Sequence, residues 1–412
     1  MRRMKRMVAR SGAQRGFTLV ELMVAMVAGM FVSIAVFTLA KHASAFAMRQ
    51  SRVADATLQN VIGFERLKAD IARAGFLSTP NVARDPTVCR GAVDDPSYPP
   101  WLKRIASITI EAASNPSPES TRNGLSPKSI VMAGSYDSFD MFVARRVTQD
   151  ASPVVSLSRT SLGMANIGYE PLTGGAALGR VFKEGRALRI LDDGGGVQFA
   201  RISSVTGGEN PTIVLSPAPG VQFRASSVER CGVRGIGNDF VNPVTFIRYD
   251  IRSLASGHPE LAKMFRGGPS YENTRRELVR EEVDVDGIAD PDTIELVAEY
   301  AVDLDFSLLV AENDRDPLSR LSGAAVPTYA GSVEGLPTGN GPQLIRAVHA
   351  WLSVRSQEAD RTSGLALTTT APGPNLLRIS VNPTDATKPP FARVRTLQST
   401  ISLPNQLRVK WR

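Results

Sequence analysis

Gly16 and Glu21 are the two residues whose type and spacing point most directly to chemistry. Gly16 closes a hydrophilic, basic stretch, and a residue without a Cβ leaves the backbone there free to take an extended form. Glu21 is the only acid or base in residues 17–40, FTLVELMVAMVAGMFVSIAVFTLA. An ionisable group inside such a run is costly to desolvate and requires a partner. Two further sets have the composition of a site. Cys89 and Cys231 are the only cysteines, and an oxidising compartment would bridge such a pair; two unpaired buried thiols are the alternative. Asp284, Asp286, Asp290 and Asp292 cluster in one short segment. Carboxylates are the oxygen ligands calcium prefers, but the spacing is not that of an EF-hand, so a solvated turn between strands competes with a loop calcium site. Catalytic signatures are missing. His42, His258 and His349 are the only histidines, and no H-E-x-x-H, G-x-S-x-G or phosphate-binding G-x-x-x-x-G-K-[ST] run occurs. The chain is therefore expected not to be an enzyme and to need no cofactor.

The apolar run must position Glu21. At 1.5 Å per residue it makes a helix of ~36 Å, enough to cross a bilayer core of ~30 Å. Arg2, Arg3, Lys5, Arg6, Arg10 and Arg15 precede it, and Lys41 and His42 follow. The positive-inside bias predicts a cytoplasmic N terminus, one crossing of the inner membrane and a periplasmic remainder. Those six cations also account for most of the net charge of +8, leaving +2. With 6% aromatics and the remaining cations scattered, a specific nucleic-acid surface is not expected. An ordinary secretory signal puts a short apolar stretch before its small-residue cleavage site, whereas here Gly16 precedes the apolar run.

Gly16-Phe17-Thr18-Leu19-Val20-Glu21 followed by a long apolar helix resembles the cleavage and methylation signal of type IV prepilins and pseudopilins. The resemblance implies that a prepilin peptidase removes residues 1–16 by cutting between Gly16 and Phe17 and that Phe17 is N-methylated. It also implies that Glu21 pairs with the amine of Phe17 on a neighbouring subunit during assembly. Further along, Asp70-Ile71-Ala72-Arg73-Ala74-Gly75-Phe76 is similar to the D-x-R-x-A-G-[FY] end of the spine helix in PilW-type minor pilins, with the arginine one place later. The implied protein is a minor pilin that helps to initiate or cap a type IV pilus. Its partners would be other minor and major pilins, the prepilin peptidase and the inner-membrane assembly platform. A J-type pseudopilin of type II secretion shares these features and is a second reading. A membrane-anchored periplasmic adhesive or binding module is a third.

The expected fold class is α+β and pilin-like: a leader at 1–16, a transmembrane helix at 17–40, an amphipathic spine helix at 41–76 and a β-rich head at 77–412. No proline occurs before Pro80, and Phe64, Leu67, Ile71 and Ala74 stand at i, i+3, i+7 and i+10, one helical face. Gly75 is placed to end the helix. In the head, β-prone runs predict strands at Ile105–Ile110, Ser129–Tyr136, Met141–Val147, Arg186–Leu191, Val197–Val205, Thr212–Leu215, Val244–Ile251 and Leu278–Val283. Ile294–Val310 is expected as one or two strands, Ile345–Arg355 as a strand with one buried face, and Arg393–Leu403 as a helix or strand. A small inserted β subdomain is expected around 180–220, with Gly194–Gly196 in a hairpin turn, and loops at 323–342 and 367–375.

Overall fold

The computed structural model describes residues 18–89, 99–224, 226, 229, 231–255, 258–263, 274–312, 317–331, 339–357, 378–381 and 391–411. The leader 1–16, Gly16, Phe17 and the expected loop at 367–375 lie outside them. Helix α1 runs from Leu19 to Arg73 without interruption, as a segment free of proline can. It ends at Gly75, whose φ of 77° is the left-handed conformation that closes helices. The chain forms two compact units, residues 1–57 and 58–412.

Among the described residues of the second unit, fifteen strands follow one another, all paired antiparallel: β1 Ile108–Ala112, β2 Lys128–Gly134, β3 Phe142–Val147, β4 Val154–Leu157, β5 Ala187–Leu191, β6 Val197–Thr206, β7 Thr212–Leu215, β8 Ile236–Arg252, β9 Glu277–Val283, β10 Glu295–Ala298, β11 Ala301–Val310, β12 Ser319–Leu321, β13 Ile345–Arg355, β14 Arg378–Ser380 and β15 Phe391–Ser402. Short helices are interspersed: α2 Pro118–Arg122, α3 Leu162–Asn166 and α4 Gly175–Val181.

Strand β8, 17 residues long, belongs to two structures. Its first half pairs with β3 and β5, closing the six-stranded barrel β8-β3-β4-β7-β6-β5. Its second half pairs with β2 and β9, forming a curled sheet edged by β1 and β10. On one side of β8 the partner changes from β3, last paired at Val241, to β2, first paired at Thr245. Pro243 lies in that gap, where a residue without an N–H is tolerated. Barrel side chains such as Leu188, Ile190, Ile202 and Ile213 share a core with Met164 of α3 and Leu178 of α4.

A separate five-stranded sheet, β12-β11-β13-β15-β14, completes the head. Phe64, Leu67, Ile71 and Ala74 are all buried, in a core made from α1, β2, β8, β11, β13 and β15. That stripe faces the core because its spacing keeps it on one side of the helix.

Some expectations are corrected here, and the alternatives left open for Ile294–Val310 and Arg393–Leu403 are resolved. The insert is not confined to 180–220: β5, β6 and β7 close into a barrel with β3, β4 and half of β8, so the barrel draws on residues from Phe142 to Val244. The head is a barrel, a curled sheet and a second sheet rather than one sheet under a helix. Arg393–Leu403 lies largely within strand β15. Ile294–Val310 divides into β10 and β11 around Tyr300, whose φ is 55°. Leu102–Arg104 makes a 3-10 turn, which delays β1 to Ile108. The β5–β6 turn is as expected, closed by Asp192, whose Oδ1 accepts the N–H groups of Gly194 and Gly196 at 2.8 and 2.9 Å.

Candidate functional site

Glu21 sits in the first turn of α1, and Thr18 caps it. Thr18 N–H and Oγ1 both donate to Glu21 Oε2 at 3.0 Å, and Glu21 N–H donates to Thr18 Oγ1 at 3.2 Å. This is a reciprocal capping box, and Thr-x-x-Glu at 18–21 was its sequence signal. It holds a carboxylate beside the helix N terminus, where the macrodipole favours negative charge. From Leu19 to Ser44 the helix is long and apolar enough to cross a membrane. Its hydroxyls turn inward to the backbone: Ser33 Oγ donates to the Gly29 carbonyl at 2.8 Å and Thr38 Oγ1 to that of Ala35 at 2.9 Å, so neither is left unpaired in hydrocarbon. The large apolar residues of this stretch, Phe31 and Phe37 among them, are exposed. The arrangement therefore offers an all-round apolar helix to lipid or to other helices, with one carboxylate fixed near its end.

The other end of α1 is a polar lock that the sequence did not reveal. Asp70 is 2% exposed. Its Oδ2 accepts Tyr249 Oη at 2.8 Å and Arg280 Nε at 2.7 Å, while its carbonyl accepts Tyr136 Oη at 3.0 Å. Burial first, and then the Asp70 charge, push both phenols above their ordinary range. Arg73 Nη2 donates to the Ser135 and Tyr136 carbonyls at 2.9 and 3.0 Å. Its guanidinium lies 4.5 Å from the Phe139 ring centroid, a cation–π contact. Gly75 N–H donates to the Ala133 carbonyl at 2.8 Å. The Asp-Arg-Gly run at the helix end thus anchors α1 to β2, β8 and β9.

Gly63 brings helix and sheet closer still. A Cβ there would fall 2.1 Å from the Val297 carbonyl oxygen of β10. Gly63→Ala gains up to ~1 kcal/mol of helix propensity, but the blocking atom is backbone, and overpacking costs typically ~1–3 kcal/mol. The expected outcome is a net loss of stability, measured by denaturant unfolding of the full chain in detergent. Gly179→Ala in α4, where a Cβ meets nothing within 4 Å, should be neutral or stabilising. A Gly63→Ala variant as stable as the parent would refute the close packing.

Cys89 and Cys231 form a disulfide with Cα atoms 5.4 Å apart, the bridge expected from an even pair. The four aspartates at 284–292 are spread over two turns, and nearby groups engage three of them. Asp284 Oδ1 accepts the N–H groups of Asp286 and Ile288 at 2.9 and 2.8 Å. Asp286 Oδ2 pairs with Arg201 Nη1 at 2.6 Å, and Arg104 donates to the Asp286 carbonyl. Asp290 Oδ1 accepts the N–H of Asp292 at 3.1 Å, and its Oδ2 pairs with Lys183 Nζ at 3.3 Å. Among the described residues no three acids, histidines or cysteines converge as metal ligands.

Residues 12–37 match the family model of the prokaryotic N-terminal methylation motif. No curated protein and no solved structure matches the chain. The matched stretch spans Gly16, Phe17 and Glu21, implying processing by prepilin peptidase and assembly with other pilins. An apolar N-terminal helix carrying this motif is consistent with a membrane-anchored protein. The motif, together with the apolar helix that it opens, supports a type IV pilin-like protein.

Proposed function

We propose that the chain is a minor pilin of a type IV pilus, of the PilW type, which helps to initiate or cap the fibre and performs no catalysis. The observation that carries this reading is the methylation motif placed at the N-terminal end of a helix whose large apolar side chains are exposed. In this role the leader is removed and Phe17 becomes a methylated N terminus. The protein is then drawn from the inner membrane as its apolar helix packs among those of other pilins. Glu21 supplies the register: its carboxylate loses hydration on leaving the headgroup region, and pairing with a neighbour's terminal amine offsets that cost. The periplasmic head, with its barrel, selects which subunits stack.

The N-terminal mass of the membrane-extracted protein, compared between cells with and without prepilin peptidase, tests the reading. A chain beginning at methylated Phe17 only when the peptidase is present is the expected result. An intact Met1, or cleavage elsewhere, would return the protein to an anchored module of another kind. Deletion then separates the roles within the class: loss of pili fits the pilus reading, loss of secretion a J-type pseudopilin, and normal piliation with lost attachment a displayed adhesive module.

A further inference from the structure

The curled sheet and the five-stranded sheet approach each other where β2 meets β11, and a small charge set lies there. Lys128 Nζ of β2 donates to Asp305 Oδ1 of β11 at 2.6 Å. Asp303, two residues earlier on β11, is 1% exposed, and its Oδ2 has no hydrogen-bond partner among the described residues. Among the described residues Lys128 is the cation whose charge reaches it. Across the sheet on β13 stands Ser353, whose hydroxyl is engaged with Thr396 Oγ1 of β15 at 2.8 Å. Arg355, further along β13, is matched by Glu119 of α2, with Nε 3.0 Å from Oε2. One ammonium therefore faces two carboxylates. Burial, reinforced by the Asp305 charge, pushes the Asp303 carboxyl up to about 7.

We propose that Asp303, Asp305 and Lys128 form a proton-gated latch between the two sheets of the head. With Asp303 neutral, Lys128 is committed to Asp305 and β11 stays docked on β2. With Asp303 ionised, two carboxylates, one of them out of reach of water and the other partly exposed, compete for one ammonium, and the docking loosens. The sign follows from linkage: the folded state holds this proton more tightly than the unfolded chain. The contribution is complete below the ordinary aspartate range near pH 4 and is lost as pH rises through about 7.

The test uses the full chain in detergent micelles. Thermal midpoints and backbone hydrogen exchange of β11, corrected for intrinsic rates, are followed from pH 5 to 8.5 for the parent, Asp303→Asn and Asp305→Asn. The parent should lose midpoint across this range, with β11 exchange accelerating on the order of tenfold or more. Asp303→Asn should lose the part of the slope that runs up to about pH 7, keeping only the loss below about 6 from Asp239, whose carboxyl burial pushes up to about 6, and should surpass the parent at pH 8. Asp305→Asn frees Lys128 for Asp303 and should move the loss to lower pH. A pH-independent parent, or an Asp303→Asn variant that keeps the parent's slope, would overturn the latch. So would failure of Asp303→Asn to fold at pH 5, where the native carboxyl already carries its proton.

Discussion

Asp70→Ala is expected to destabilise the head by about 3–5 kcal/mol, the range for removing one partner of a buried ion pair. The loss arises from what stays behind. Arg280, which donates from Nε at 2.7 Å, would keep a largely buried positive charge without its counterion. Tyr249, which donates at 2.8 Å, would keep a buried hydroxyl without an acceptor. Glu295 cannot take over, since it approaches Arg280 only to 3.6 Å and is half exposed. Arg66→Ala is the contrasting variant: Arg66 is 49% exposed and reaches Asp70 only at 4.0 Å, so its loss should stay within ~1 kcal/mol. Denaturant unfolding in detergent, read by tryptophan fluorescence, compares the two. Equal losses would mean that Asp70 is not the anchor of the spine helix.

The second large effect concerns the bridge between Cys89 and Cys231, which are 142 residues apart. In the chain-entropy model, closing a loop of that length constrains the unfolded chain by about 5 kcal/mol. The covalent tie also has a place in the architecture. Cys89 N–H donates to the Val197 carbonyl of β6 at 2.7 Å, and Cys231 lies in the β7–β8 connection. The bond therefore fastens the segment that follows α1 to the barrel. A double Cys89→Ser, Cys231→Ser variant should unfold at a much lower denaturant concentration than the parent. Reductant should bring the parent to the variant's midpoint and leave the variant unchanged. Coincident midpoints in the oxidised and reduced parent would show that the loop constraint contributes nothing.

Much of the fold was legible wherever the deciding interaction is local. The buried stripe Phe64, Leu67, Ile71 and Ala74 follows from helical spacing, and β7 and β13 occupy the residues their apolar patterns marked. The barrel was not legible. The first half of β8 contains Gly237, Asn238, Asp239 and Pro243, residue types that strands disfavour. It becomes a strand because β3 and β5 flank it on both sides. No pattern within a short window can report that closure, which depends on pairing between residues distant in sequence.

The site divides along the same line. The apolar helix, the basic flank, Gly16 ahead of the apolar run, the lone Glu21 and its Thr18 cap are all properties of one continuous segment, so the amino-acid order alone determines them. The roles of buried charges were decided by tertiary structure. Asp70 read only as part of a helix end until Tyr249 and Arg280, 179 and 210 residues away, closed on it. The aspartates of 284–292 read as either a solvated turn or a calcium loop, and packing brought Arg201 and Lys183 to pair with Asp286 and Asp290. Sequence records where a charge is placed along the chain; its partner and its exposure to water, which set its energy, exist only after distant segments pack.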